Sequence, residues 1–413
     1  MTTTSASADI SGILPGGTVT LSATVAATSP TAPTPTGNVV FKTGATVLGT
    51  VALSGGNATL ATRALTTGSH SIVATYAPPA GFAASSSTGV AVTVDPRVGS
   101  EFPVNTMTTG SQQTPTLAIL KSGGFVAGWA SKDQDGSNWG VYAQRFLANG
   151  TPDGAEFRVN GTTVGSQSSP AVAATADGGF TIAWVGTNTT GTSAGIWAQR
   201  YDATGTTLGT QFRVDTTKGR FQSAPTITAA RPSGFAVGWV GSDVAGTSYR
   251  TYVQLYAQTG ARVGTERVVS KTVMKRLISP PSIAPITGGF AVVWPSAAAA
   301  TGNPIVAGQR LTSAGALSGT EFAITSASFA QQDPVVTGTA DGGFAVAWTS
   351  LKQDGSGAGV FAQIYKATGV KTGATFRAHT TVAAAQAEPA ISARPGGGFT
   401  IAWTSTNQDG SGK

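Results

Sequence analysis

With 413 residues and 40% apolar side chains, the chain is long enough for two or three domains and apolar enough for packed cores, so disorder is not the expectation. Charged residues make up only 10% and glycine fills 55 positions, the composition of short strands and tight turns. There is no cysteine, which excludes disulfides, thiolate metal sites and a cysteine nucleophile, and with only His70 and His379 imidazole chemistry is nearly excluded too.

No apolar run reaches the 18 residues of a membrane span. The opening Met1 to Ser5 lacks the basic and apolar segments of a secretory signal. Export through a signal elsewhere is one expectation. A longer parent chain is the preferred one, because the last repeat stops partway, at Asp409 to Lys413.

Residues 1 to about 95 alternate short β-type runs (18–25, 38–41, 69–76) with Gly, Pro and Ser clusters, and helical periodicity is absent. Strands at this spacing predict an antiparallel sandwich of about a hundred residues. The run Pro35 to Phe41, Val47 to Gly49, Ala64-Leu65 followed by Gly68 to His70, Ala74 to Tyr76, Phe82 and Ser85 to Ser87 resembles a bacterial immunoglobulin-like repeat. The resemblance implies a spacer or adhesive stalk of a surface protein. The domain is placed at residues 1–97.

From residue 98 the chain repeats. Gly-Phe-x-x-x-Trp recurs with Phe/Trp at 125/129, 180/184, 235/239, 290/294, 344/348 and 399/403, each Phe ten residues after a proline, from Pro115 to Pro389. Each unit of about 55 residues reads as four strands, shown in the second copy by runs at 171–174, 179–184, 195–201 and 210–214 separated by turn signals. Four short strands cannot bury both faces of their own sheet, so the copies must stack. A ring of four-stranded blades does this with few free edges. The expected fold class is therefore all-β: an N-terminal immunoglobulin-like β-sandwich followed, over 98–413, by a six-repeat β-propeller of four-stranded blades with the last repeat incomplete. A β-solenoid is the alternative. The fourth-strand segment Glu101 to Val104 precedes the first full unit and is a candidate to complete the last blade.

The signature Gln-Asp-Gly-Ser, then Gly-Val-Tyr-Ala-Gln-Arg-Phe, then Gly-x-Glu-Phe-x-Val-Asn resembles repeats of very large secreted or surface-attached bacterial proteins of the adhesin kind. That likeness spans about 310 residues and implies an extracellular or cell-surface location. Unlike typical members, this chain is basic and lacks the Gly-Gly-x-Gly-x-Asp nonapeptides of calcium-loaded β-rolls.

In an up-and-down blade, the link from strand four into the next blade and the turn between strands two and three share one end, here called the top. Three residues before each proline stands a glutamine, at Gln112, Gln167, Gln222, Gln331 and Gln386, with Leu277 the exception. These amides either ring the top face as ligand contacts or bond backbone within their blades. The turn holding Asp133 and Asp135, echoed at Asp354 and Asp409, either supplies oxygen ligands to calcium or is an Asp-Gly hairpin turn. It also resembles, shifted by one residue, the Asp-box of sialidases.

Charge is the clearest irregularity. Between 218 and 276 lie nine basic residues against Asp243 and Glu266, so 9 − 2 = +7, equal to the net charge of the whole chain. Six of them, Lys218, Arg220, Arg250, Lys271, Lys275 and Arg276, fall in top loops around blades three and four. Clustered cations concentrate anionic partners, which predicts binding to acidic surface polysaccharide, lipopolysaccharide phosphate, extracellular DNA or another polyanion; solvated loop charge is the bland alternative.

Hydrolysis needs two positioned acid/base groups. Most acids here recur with the repeat; the two that do not are Asp333 and Glu388, each just before its proline. Arg145, Arg200 and Arg310 share one strand-three position, which reads as structural. No phosphate loop, nucleophile elbow or metal-binding His motif occurs. The expectation is a non-catalytic extracellular adhesion module, with a propeller-fold glycosidase or sialidase-like enzyme as the alternative. Glycan or polyanion is the expected partner, alongside further domains of a longer parent chain.

Overall fold

The computed structural model describes residues 1–13, 17–29, 31–94, 101–187, 194–216, 221–230, 232–275, 277–297, 302–394 and 397–407. Among them there is no helix. The chain divides into two compact units, Met1–Pro103 and Val104–Lys413. The expected join at 97/98 lies outside the described residues.

In the first unit, Thr2–Ala8, Val19–Ala27 and Asn57–Thr62 form one sheet. Asn38–Thr43, Thr46–Ala52, Gly68–Ala77 and Val90–Val94 build the other, with Gly12–Ile13 running parallel to Val90–Val94 at its edge. Inward positions alternate along each strand, so Val19, Leu21, Ala23 and Val25 meet Val39, Phe41, Ile72, Ala74 and Val92 in one core between the sheets. The Tyr76 hydroxyl donates to the Thr36 carbonyl at 2.6 Å, which satisfies the one polar atom of that ring.

The second unit is a β-propeller. Among the described residues, five antiparallel sheets of four consecutive strands follow one another, and a sixth contains two strands, Gln386–Ala393 and Phe399–Ser405. Numbered from the axis outward, strand two of blade three, Phe235–Ser242, shows how neighbours pack. With a period of two, Phe235, Val237 and Trp239 share one face and lie against Ala194, Ile196 and Ala198 of blade two, two of them alanines. On its other face Ala236 and Val240 receive Phe290, Val292 and Trp294 of blade four. A large face against a small one, repeated around an axis, gives each sheet its wedge.

Trp184, Trp239, Trp294 and Trp348 are fully buried. The glycine before each strand-two Phe follows from the same closeness. A Cβ on Gly179 would lie 2.2 Å from the Tyr201 carbonyl oxygen of strand three.

Inner strands of all six blades meet at one cavity of about 390 Å³, lined by Thr116, Val172, Ile227, Pro280, Pro334 and Pro389 among others. Its walls carry a repeated bulge. In five blades the register shifts at the residue before the proline, and those residues (Thr114, Ser169, Ala224, Asp333, Glu388) have φ of 50–55°. Blade four pairs without a shift. One expectation needs correction: Glu101 to Val104 forms no strand and does not complete the sixth sheet. Val104 packs instead beside Trp129 and Phe146 of blade one.

Candidate functional site

Of the six predicted top-loop cations, Lys218, Arg220 and Arg276 lie outside the described residues; Arg250, Lys271 and Lys275 come together. The half-buried Arg250 begins strand three of blade three and donates from Nη1 to the carbonyls of Ser270 and Lys271, at 3.1 and 3.4 Å. Lys275 is exposed; its Nζ lies 3.5 Å from the Ser248 Oγ, and its backbone N–H donates to the Ala297 carbonyl of blade four. An isolated bridge between Tyr249 and Met274 holds the loop in place. The charged ends of Arg250, Lys271 and Lys275 make no ion pair with a carboxylate among the described residues.

Two carboxylates, Glu321 on strand four of blade four and Asp243 in the turn after strand two of blade three, adjoin these loops and are bound to neighbouring donors. Glu321 accepts the Lys271 backbone N–H and the Thr272 hydroxyl. Asp243 accepts the Thr247 N–H and hydroxyl, and the first of these bonds holds its carboxyl below the usual range. The patch thus sets three cations without a carboxylate partner among the described residues beside two carboxylates already taken by hydrogen bonds.

The predicted amide ring is not a surface feature. Gln167, Gln222, Gln331 and Gln386 are 1–2% exposed, and each bonds its own blade or the loop leading into it, Gln167 also accepting the Asn160 side-chain amide of blade one. Gln222 Oε1 accepts the Trp239 indole N–H at 2.8 Å, Gln386 Oε1 that of Trp403 at 3.0 Å, and Gln167 and Gln331 donate to the Val164 and Phe329 carbonyls. Gln112, half-buried, donates to the Thr109 carbonyl. Burying an amide requires internal partners, and the loop before each inner strand supplies them.

The turn aspartates are held by protein donors. Asp133 is exposed with φ 61°, whereas Asp135 turns inward, accepting the Ser137 N–H and the Asn160 side-chain amide at 3.1 Å each. Asp354 likewise accepts the Ser356 N–H. Asp409 lies outside the described residues. No three Asp, Glu or His side chains converge among the described residues, and Asp135 and Asp354 each accept a backbone N–H within their own turn.

Asp333 and Glu388 both line the axial cavity and are its only charged walls among the described residues. The Asp333 N–H donates to Ser279 Oγ and the Glu388 N–H to Thr349 Oγ1; Thr404 donates its hydroxyl to Glu388 Oε2. Burial first, and the Glu388 charge in addition, push the Asp333 carboxyl above its ordinary range.

Three features of the repeat escaped the sequence reading in their detail. Arg145, Arg200 and Arg310 are staples between blades. Arg200 donates to the carbonyls of Thr259 and Gln258 at 2.6 and 2.5 Å, and Arg145 and Arg310 reach the matching turn of the next blade at Thr204 and Ala367. Strand-three Gln144, Gln199, Gln254, Gln309 and Gln363 are buried and donate across their own hairpin to Gly154, Gly209, Gly264, Gly319 and Gly373. At the end of strand four, Asn160, Asp215, Ser270 and Thr325 each accept a strand-three N–H at 2.7–2.9 Å. Their recurrence at one offset was the available signal.

No curated protein matches this sequence. Among solved structures, the NanB sialidase from Streptococcus pneumoniae is similar with a TM-score of 0.47 at 9% identity, covering 93% of this chain and 80% of that one. A Dyadobacter fermentans protein of unknown function has a TM-score of 0.47 at 12% identity, covering 71% and 93%. The β-propeller domain of the Trilobed protease from Pyrococcus furiosus has a TM-score of 0.40 at 11% identity, covering 67% and 73%. Residues 2–95, the two-sheet unit, match the family described as Bacterial Ig-like domain (group 3).

Proposed function

We propose that the propeller is a non-catalytic extracellular binding module that engages acidic glycan or another polyanion through the loops between blades three and four, with the immunoglobulin-like domain as spacer. The observation that carries this reading is the convergence of Arg250, Lys271 and Lys275 on one loop system, with no ion pair to a carboxylate among the described residues. Such a patch attracts phosphate, sulfate or uronate by a field that salt screens. The match of residues 2–95 to a bacterial immunoglobulin-like family supports the spacer role.

Retention on heparin across a salt gradient is the test. Arg250→Gln, Lys271→Gln and Lys275→Gln together should elute at clearly lower salt than the unaltered protein; unchanged elution would remove the proposal.

A second reading rests on the acid pair in the axial cavity. Asp333, raised by burial and by Glu388, would serve as proton donor and Glu388 as the second carboxyl group of a carbohydrate-active enzyme. Hydrolysis of a polysaccharide panel that disappears in Glu388→Gln, with the fold retained, would establish it. No turnover on any member would leave the binding module.

A further inference from the structure

Three departures from the repeat fall together on the top loops of blades three and four. The first is a change of turn residues. Five residues after the strand-two tryptophan, blades one, five and six place Gln-Asp (134–135, 353–354, 408–409) and blade two Thr-Thr, whereas blade three places Val244-Ala245 and blade four Ala-Ala. The exchange removes a carboxylate and puts apolar side chains in its place. The second is exposure. Val244 is 78% exposed at the tip of a turn closed by the Asp243 N–H on the Ser248 carbonyl, and Phe221 and Leu277, in the loops entering blades three and four, are 41% and 42% exposed. The Phe221 carbonyl accepts the Ser242 N–H, which sets this residue beside the start of the Val244 turn. The third is charge. Lys275 reaches the same turn, its Nζ 3.5 Å from Ser248 Oγ, and Arg250 and Lys271 adjoin it.

Cations alone suit any polyanion, but cations set among projecting apolar side chains suit one whose charged layer covers an apolar one. A soluble acidic polysaccharide gives Val244 and Phe221 little to bury against. A folded protein partner would need a pocket for each of them, whereas a lipid interface is fluid and takes a protruding turn tip without a preformed one. Resting on the polyanion reading above, we infer that this face docks on a lipid surface rich in anionic headgroups. Arg250, Lys271 and Lys275 meet the headgroup phosphates, while Val244, Phe221 and Leu277 enter the boundary between headgroups and acyl chains. The missing turn carboxylate serves the same end, since an aspartate at the Ala245 position would repel that surface.

Co-flotation of the intact chain with vesicles is the test. The protein should float with an equimolar mixture of phosphatidylcholine and phosphatidylglycerol and stay behind with phosphatidylcholine alone. Val244→Ser combined with Phe221→Ser removes exposed apolar surface and leaves every cation, so with the fold retained by circular dichroism vesicle partitioning should weaken roughly tenfold or more while elution from heparin is unchanged. Because the chain has no cysteine, Val244→Cys can carry a single nitrobenzoxadiazole label, whose emission should shift to the blue on the mixed vesicles and not on heparin. Retention on heparin without flotation would overturn the lipid assignment and leave the polyanion reading standing; loss of both would remove both. A double variant that floats as well as the unaltered protein would also overturn it. So would a label at position 244 that shifts equally on heparin, which would assign the face to soluble polysaccharide.

Discussion

Arg200 offers the sharpest test of how the blades are held together. Its guanidinium makes two hydrogen bonds to carbonyls of the turn in the next blade, and bonds from a charged donor are worth roughly 1.5–3 kcal/mol each. The side chain is only half-buried, so water re-solvates part of what is lost, and Arg200→Ala should cost about 2 kcal/mol. Gly260 lies beneath it. Its φ is +87°, and an added Cβ would stand 2.7 Å from Arg200 Nη1. Gly260→Ala therefore carries two penalties, left-handed backbone of roughly 1–2 kcal/mol and displacement of the arginine. In the Arg200→Ala background only the first remains, so the cost of Gly260→Ala should fall by about 1 kcal/mol, measured as a double-mutant cycle by urea unfolding. Tryptophan fluorescence is a suitable probe because Trp239 is buried between the same two blades. Additive costs, or an Arg200→Ala penalty below about 0.5 kcal/mol, would refute the staple.

Leu277 takes the glutamine position in blade four, and the Trp294 indole nitrogen there is buried without a partner among the described residues. Leu277→Gln should supply the acceptor that Gln222 gives Trp239 and raise unfolding stability by about 1 kcal/mol, whereas Gln222→Leu should lower it by about 1–3 kcal/mol. Truncating Trp239 to alanine should cost about 3–5 kcal/mol and expose the blade-two face to hydrogen exchange. Because the Asp333 carboxyl is raised in the folded state, its contribution to stability is present below the ordinary aspartate range and is lost as pH rises through the folded value. Asp333→Asn should therefore gain stability relative to the unaltered protein above that window and not below it, as chemical unfolding at acid and neutral pH would show.

The two kinds of site residue differ in how far they could be read ahead. Strand-three arginines and their fixed spacing marked them as structural, but that each reaches a turn in the following blade depends on neighbours placed by ring packing, 57–59 residues apart in the chain. For the glutamines before the prolines the recurrence was legible and the destination was not. Whether an amide faces solvent or a buried indole depends on the loop that covers it, as Gln222 and Trp239 show. Asp133 and Asp135 are two residues apart in one turn, yet one projects outward and the other bonds Asn160 of strand four.

The amino-acid sequence by itself determined the blades. Phe-x-x-x-Trp on period-two strands, a proline ten residues before and Asp-Gly turns between them fix four-stranded sheets with one large and one small face, because these are local preferences of backbone and side-chain size. Tertiary structure alone decided which polar groups met. Only stacking around an axis brings Asp333 and Glu388 to one cavity, draws Arg250 and Lys275 to the same loop, and turns the glutamines inward. Those outcomes depend on partners distant in the chain, and buried polar groups are selected by the partners they find.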